Sequence, residues 1–278
     1  MDSVSLGGLV EGYKVGIVGY GNVGQAIAWS HREDQVIYHD PKHNDSRPIE
    51  DIRNCDAIYI CVPSPPAEDG SCDTALLEQT LKDLWFANIK DKQPILLSMT
   101  TAPPSTYQRL QELYPNLVHY PAFFQERHGA AGYANTPFQV YGGDPAHCIR
   151  AKNFVDRVNP VGHNKQIVTD IQTAALYKYF SNSYLATKVS IANEWNQLAT
   201  QLGVDWHLIK CIADIDDRVG ANHLDVPGYD NLPGWGGSCF PKDTEAIIRE
   251  AAKIGVNLPL LQTVVTFNNQ QRNNDQSI

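Results

Sequence analysis

Long hydrophobic runs are missing from this sequence, since no apolar stretch approaches the roughly 18 residues that a membrane-spanning helix needs. The opening stretch, MDSVSLGGLVEGYKVGIVGYG, has no basic segment followed by a long apolar core, so it does not read as a secretory signal. Basic residues are in deficit, 22 Lys and Arg against 31 Asp and Glu, for a net charge of -9. A field of that sign disfavours general binding to nucleic acid or to a membrane surface, so local donors must hold any anionic ligand. The six cysteines (Cys55, Cys61, Cys72, Cys148, Cys211, Cys239) form no CxxC pair and no tight cluster, which points away from a metal centre. Reduced thiols in a cytoplasm are the default, and five of the six are expected to be small buried hydrophobes. Internal repeats and low-complexity tracts are also absent.

What is present begins with a nucleotide cradle. Residues 14–19, KVGIVG, form the nearly continuous apolar run expected of a strand buried on both faces. They flow into GYGNVG, a G-x-G-x-x-G loop made of Gly19, Tyr20, Gly21, Asn22, Val23 and Gly24 that opens a helix. Its glycines allow a tight turn and the close approach of a pyrophosphate to the helix start. A second apolar run ends at Asp40, where a carboxylate can accept the ribose hydroxyls of adenosine and repel a 2'-phosphate; NAD is thus favoured over NADP. Further strands are expected at 56–65, 94–101 and 116–124, with an amphipathic helix over 74–89 and an edge strand at 139–144. Alternating strands and helices predict an α/β fold with a doubly wound, Rossmann-type parallel sheet. Ligands bind beyond the carboxyl ends of such strands, where Val62, Pro63, Ser64, Pro65, Thr100 and Thr101 fall. Residues 158–168 read as an exit linker, which divides the chain into a nucleotide-binding domain, 1–166, and an all-α domain, 167–278.

The second half opens on a stretch from 169 to 202 without proline or glycine, stopped by Gly203. As one helix it would extend about 50 Å. Its apolar residues wrap more than one stripe, so burial on several sides is expected, with a homodimer built on this helix. Lys178 and Asn182, at i and i+4, share a face with Asn193 and are expected to look into an enclosed, wet cavity. DDRVG (216–220) carries Arg218 in a turn, and then comes GWGGSCFPKD, in which Gly234, Gly236 and Gly237 let the backbone approach a ligand. A helix starting near Pro241, with Lys242 or Lys178 nearby, would favour a thiolate at Cys239. The polar tail from Asn268 onward is expected to fray.

The ordered set GIVGYGNVG, CVPSPP, TTAP, FFQE, KYFSNSYLATKVSIANE, DDRVG and GWGGSCFPKDTEAII resembles the UDP-glucose/GDP-mannose dehydrogenase family. The resemblance runs along almost the whole chain. It implies NAD-dependent four-electron oxidation of a UDP-sugar alcohol to the acid in a cytoplasmic dimer. Cys239 would be the nucleophile, and Lys178 and Asn182 would surround the reacting carbon. Asp243 would assist proton transfer, Thr101 would position water, and Glu126 would lie between cofactor and sugar. The cofactor set would include the glycine loop, Asp40, residues 62–65, Thr100, Thr101, Glu126 and Lys242. The substrate set would be Phe124, Glu126, Lys178, Asn182, Arg218, Tyr229, Gly234, Trp235 and Gly236.

The sequence departs from the family at YPAFFQE, where Tyr120 and Ala122 replace an asparagine and an acid implicated in thioester hydrolysis. The resemblance also implies a third, nucleotide-gripping domain beyond the present sequence. The expectation is either of an incomplete piece or of a minimal enzyme that uses Arg218, residues 229–236 and a partner subunit. Two other readings stay open: a two-electron 3-hydroxyacid-type dehydrogenase, and an NAD-binding protein of weak or no catalytic activity.

Overall fold

Strand period and helix period divide the first half cleanly between them. The computed structural model describes residues 12–85, 93–124, 126–158 and 165–274. The chain forms two compact units: Met1–Pro65 with Asp73–Lys178, and Pro66–Cys72 with Tyr179–Ile278.

In the first unit the order is β1 (Val15–Val18), α1 (Asn22–Trp29), β2 (Val36–His39), α2 (Ile49–Ile52), β3 (Ala57–Ile60), α3 (Ala75–Trp85), β4 (Ile95–Ser98), α4 (Pro104–Leu113), β5 (Leu117–His119), α5 (Gly129–Ala134), β6 (Phe138–Gly142), α6 (Pro145–Val158) and β7 (Lys165–Thr169). The strands make one seven-stranded sheet in the order β2-β1-β3-β4-β5-β6-β7. β1 to β5 pair in parallel, β6 runs antiparallel to β5, and β7 is parallel to β6.

Side chains alternate across each strand, and both sheet faces are apolar. Val15, Ile17, Ala57, Tyr59, Leu97 and Val118 point to one face, where Ala26, Ile27, Tyr133 and Phe154 from α1, α5 and α6 cover them. Val18, Ile58, Ile60, Leu96 and Leu117 point to the other, under Ile52, Leu77, Leu81, Tyr107 and Leu110. Two covered faces explain why these strands read as unbroken apolar runs. Each fully buried aliphatic side chain contributes about 1.5–3 kcal/mol. The fold is the doubly wound α/β sheet that the sequence predicts, followed by a helical region.

Two expectations about the sheet's far side are corrected. The strand expected at the edge, β6, is interior, and the edge is β7, formed from residues read as exit linker. A five-residue edge strand needs backbone pairing, which β6 supplies along its full length, and not apolar content. β7 is indeed half exposed, so its composition gave no signal. Residues 159–164 of that expected linker, and 86–89 of the expected helix, lie outside the described residues.

The second unit contains most of α7 (Ile171–Leu202), then α8 (Trp206–Ile215), α9 (Phe240–Lys253) and α10 (Pro259–Asn274). α7 ends where Gly203 takes a φ of 67°, a left-handed value that glycine adopts without strain. Asp205 caps α8, its carboxylate accepting the His207 N–H at 2.9 Å. The short excursion 66–72 also belongs to this unit: Pro66 bridges Cys72, and Cys72 packs with Tyr179, Ala246 and Ile247. α10 continues through Asn274, so the tail expected to fray from Asn268 is helical over most of its length.

Candidate active site

In the sheet unit, the glycine loop is shaped by close approach. Gly19 has φ 90°, and a Cβ there would meet the Cys61 carbonyl oxygen at 2.7 Å. A Cβ on Gly24 would meet the Gly19 carbonyl oxygen at 2.2 Å, so strand, turn and helix can pack only with glycine at both positions. Gly21 differs: the space beside it is open. It sits at the start of α1 with no side-chain cap, and the helix's first N–H groups have no partner within the helix. Unpaired N–H groups at a helix start can hold an anion such as a pyrophosphate, and a Cβ on Gly21 would take up the open space beside them.

Asp40 lies just past β2. Its carboxylate accepts the Tyr20 N–H at 2.8 Å and the Lys42 N–H at 3.0 Å, one on each oxygen. Partial burial raises its pKa, but these two bonds and the charges of His43 and Lys42 outweigh it and hold the carboxyl below its ordinary value. Each oxygen retains a lone pair for a hydroxyl. The loops after β3 and β4 are tied to one another. Thr100 Oγ1 donates to the Val62 carbonyl at 2.8 Å, and Ser64 Oγ donates to the Thr101 carbonyl at 2.6 Å. Pro63 and Pro65 are exposed beside them. Lys178, 9% exposed, donates to the Ala122 carbonyl at 2.6 Å, and its ammonium lies 5.4 Å from the Phe123 ring centre. Phe124 packs edge-on against Tyr133. The backbone of Glu126 opens a short 3-10 turn, and its side chain lies outside the described part of the structure.

In the helical unit, Cys239 is the residue immediately before α9, with Pro241 in the first turn. Its sulfur lies 3.5 Å from Ser238 Oγ. Asp243, one turn on and 1% exposed, accepts Asn182 Nδ2 at 2.5 Å on one oxygen and the Lys242 ammonium at 2.5 Å on the other. The structure thus joins Asn182, Asp243 and Lys242 and sets Cys239 at the head of the same helix. Arg218 pairs with Asp216 at 2.8 Å on an exposed turn. Tyr229 is exposed, with its hydroxyl beside Gly237.

Asn193 is buried, as Asn182 is, but it serves the backbone: its side chain accepts the Gly234 N–H at 2.8 Å and donates to Val189. Sequence reasoning missed the rest of that scaffold. Asn268 accepts the Trp235 N–H at 2.7 Å and donates to the Trp235 carbonyl at 3.0 Å. Trp235 Nε1 donates to Ser190, and Arg272 bonds both the Trp235 carbonyl and Asp230. Nothing local marked Asn268 or Arg272, which look like a polar tail in the sequence. The cysteine expectation is corrected as well: Cys55 and Cys148 are buried, Cys61 and Cys72 are half-buried, and Cys211 is exposed.

A doubly wound Rossmann-type sheet followed by a helical region is the fold this chain shares with dehydrogenases among the solved structures. Residues 172–270 match the UDP-glucose/GDP-mannose dehydrogenase family, central domain. The chain is 30% identical over 237 residues to the UDP-glucose 6-dehydrogenase AglM of Haloferax volcanii, covering 80% of this chain and 54% of that protein. It spans about half the length of the curated relatives it matches. Its fold is similar to that of a UDP-glucose dehydrogenase from Pyrobaculum islandicum (TM-score 0.80, 24% identity, 97% of this chain and 70% of that one). It is also similar to that of the 3-hydroxyisobutyrate dehydrogenase of Mycobacterium tuberculosis (TM-score 0.67, 16% identity, 93% of each).

Proposed function

We propose that this chain oxidises the C6 alcohol of a nucleotide sugar to the acid, UDP-glucose to UDP-glucuronate, with Cys239 as covalent nucleophile. The observation that carries this reading is the helical unit's own cluster: a cysteine heading α9, with a buried carboxylate one turn later, gripped by Asn182 and Lys242. A two-electron alcohol oxidation has no use for such a thiol. NAD, held by the glycine loop and Asp40, would supply the hydride acceptor for both oxidations.

The chain's residues act between and after those two steps. Thiolate addition to the aldehyde carbon forms a C–S bond, and the carbonyl oxygen takes a proton, giving a thiohemiacetal. Its oxidation, with loss of that proton, leaves a thioester. Water then adds to the thioester carbon, the C–S bond breaks, and the thiolate departs from the carboxylic acid. Negative charge builds on the sugar oxygen each time, which Lys178 and Asn182 would stabilise. Asp243 would take the proton from a water that Thr101 would help position, and Glu126 would lie between cofactor and sugar. The two loop carbonyls of Val62 and Thr101 are already engaged by Thr100 and Ser64, which favours a preorganised cofactor ledge.

The same reading assigns sugar-nucleotide contacts to Arg218, Tyr229 and the glycine turn at 234–236. It makes the molecule a cytoplasmic homodimer through α7. The described cysteines are all free thiols. Among the described residues no helix is long and apolar enough to cross a membrane.

The test is a panel of UDP-glucose, GDP-mannose and UDP-N-acetylmannosamine followed at 340 nm, with reduced cofactor counted per sugar. Two NADH per sugar are expected, with net turnover lost in Cys239→Ser. One NADH per sugar, and full activity in Cys239→Ala, would instead establish a two-electron dehydrogenase of the kind the shared fold also allows. A chain that binds NADH and oxidises none of the three sugars would be a binding protein only.

A further inference from the structure

The loop after β4 carries Thr101, and a buried tyrosine on α4 holds that loop from behind. Tyr107 is 0% exposed. Its hydroxyl donates to the Thr100 carbonyl at 2.5 Å. A phenol has one proton, so the 2.7 Å contact with Ser98 Oγ is a bond that Ser98 donates. The phenol therefore spans the turn, tying the last residue of β4 to the residue two further on. The Ser98 carbonyl is fixed in its own right, accepting His119 Nδ1–H at 3.0 Å and the Tyr120 N–H at 2.7 Å. The His119 ring packs on the Tyr107 ring with centres 4.1 Å apart.

From this geometry we infer that Tyr107 is a positioning residue, acting through the Thr100 carbonyl to hold Thr101 in its working place. Other ties on this loop run from Thr100 to Val62, from Ser64 to Thr101, and from the Met99 N–H to the Ile60 carbonyl at the end of β3, at 2.9 Å. These ties join the loop to the end of β3 and to the loop that follows it. Tyr107 supplies an anchor on a regular helix, and its ring is wedged against His119 at the end of β5. A buried carbonyl held by a phenol resists the peptide rotation that would re-aim the next residue. The Thr101 role rests on the reading above, whereas the anchoring of residues 99–102 does not.

Tyr107→Phe keeps the ring and its contact with His119 and removes only the hydroxyl. Tyr133→Phe is the matched control: Tyr133 is equally buried, on the sheet's other face, with its hydroxyl 3.1 Å from that of Tyr120. Two measurements on the full chain decide the matter. By hydrogen exchange and mass spectrometry, the amides of residues 99–102 should exchange at least about fivefold faster in Tyr107→Phe and unchanged in Tyr133→Phe. In steady-state kinetics, kcat should fall about tenfold in Tyr107→Phe while the Kd for NADH stays within about twofold. The deuterium isotope effect with C6-deuterated sugar should not rise, because the water step and not hydride transfer becomes slower.

Unchanged exchange in Tyr107→Phe overturns the proposal, as does faster exchange with kcat intact. An equal fall of kcat in Tyr133→Phe also overturns it, since generic core loosening then suffices. A wild-type chain that binds NADH but oxidises no sugar sinks the functional reading instead, and the exchange comparison still judges the anchor.

Discussion

Cys239 sits at the head of α9, with Pro241 in the helix's first turn. The lysine three positions on, Lys242, spends its ammonium on Asp243 at 2.5 Å. Sequence alone marked this cysteine because glycines, proline, lysine and aspartate crowd within ten residues of it. Asn268 and Arg272 left no such mark, because their partner Trp235 lies 33 and 37 residues away. A buried amide that serves both the N–H and the C=O of one residue should be costly to remove. Asn268→Ala is expected to lower stability by about 1–3 kcal/mol, read from urea denaturation, with exchange of residues 234–237 accelerated. In the sheet unit, Gly24→Ala puts a methyl 2.2 Å from the Gly19 carbonyl oxygen. A tenfold or greater loss of NADH affinity is expected by fluorescence titration; wild-type affinity would mean that the turn is not the cofactor's cradle.

At the scale of elements, apolar runs revealed β1, β3, β4 and β5, which are covered on both faces, and half-buried β2, and failed at β7, which is mostly exposed. α7 was legible as a helix from its lack of breakers, but the partner for its apolar surface was not. In the single chain Phe180, Tyr184, Ile191, Trp195, Leu198 and Leu202 are exposed. Their spacing, mostly three and four, lays them along one stripe, while Tyr179, Ala186, Ala192 and Ala199 are buried on another. Exposed patches of this kind are usually covered. If a second copy covers this one, Ile191→Asp combined with Trp195→Asp will halve the mass in sedimentation equilibrium. A double variant with the mass of the wild type would exclude α7 as the dimer contact.

For the whole molecule, two buried imidazoles tie stability to pH. Burial lowers the His31 pKa to about 4. Burial lowers that of His119 to about 3, with the Ser98 carbonyl bond opposing and the Lys178 charge assisting. Once unfolded, both return toward about 6.5 and bind protons that the folded state refuses. The contribution is therefore intact above about pH 6.5 and is lost as pH falls toward the folded values, at about 1.4 kcal/mol per pH unit for each imidazole. Urea midpoints between pH 7.5 and 4.5 should fall accordingly, with a shallower slope in His31→Phe. A flat profile would mean that these rings are hydrated.

Residues 66–72 sit between β3 and α3 in the sequence, yet they pack within the helical unit. The backbone therefore passes from one unit to the other three times, not once. No single cut can separate the two halves for grafting onto other scaffolds. A chimaera joined only within α7 would strand a small hairpin on the wrong parent and strip Cys72 from Tyr179, Ala246 and Ile247. Swaps in this lineage should succeed only when both junctions flanking the hairpin move together with it.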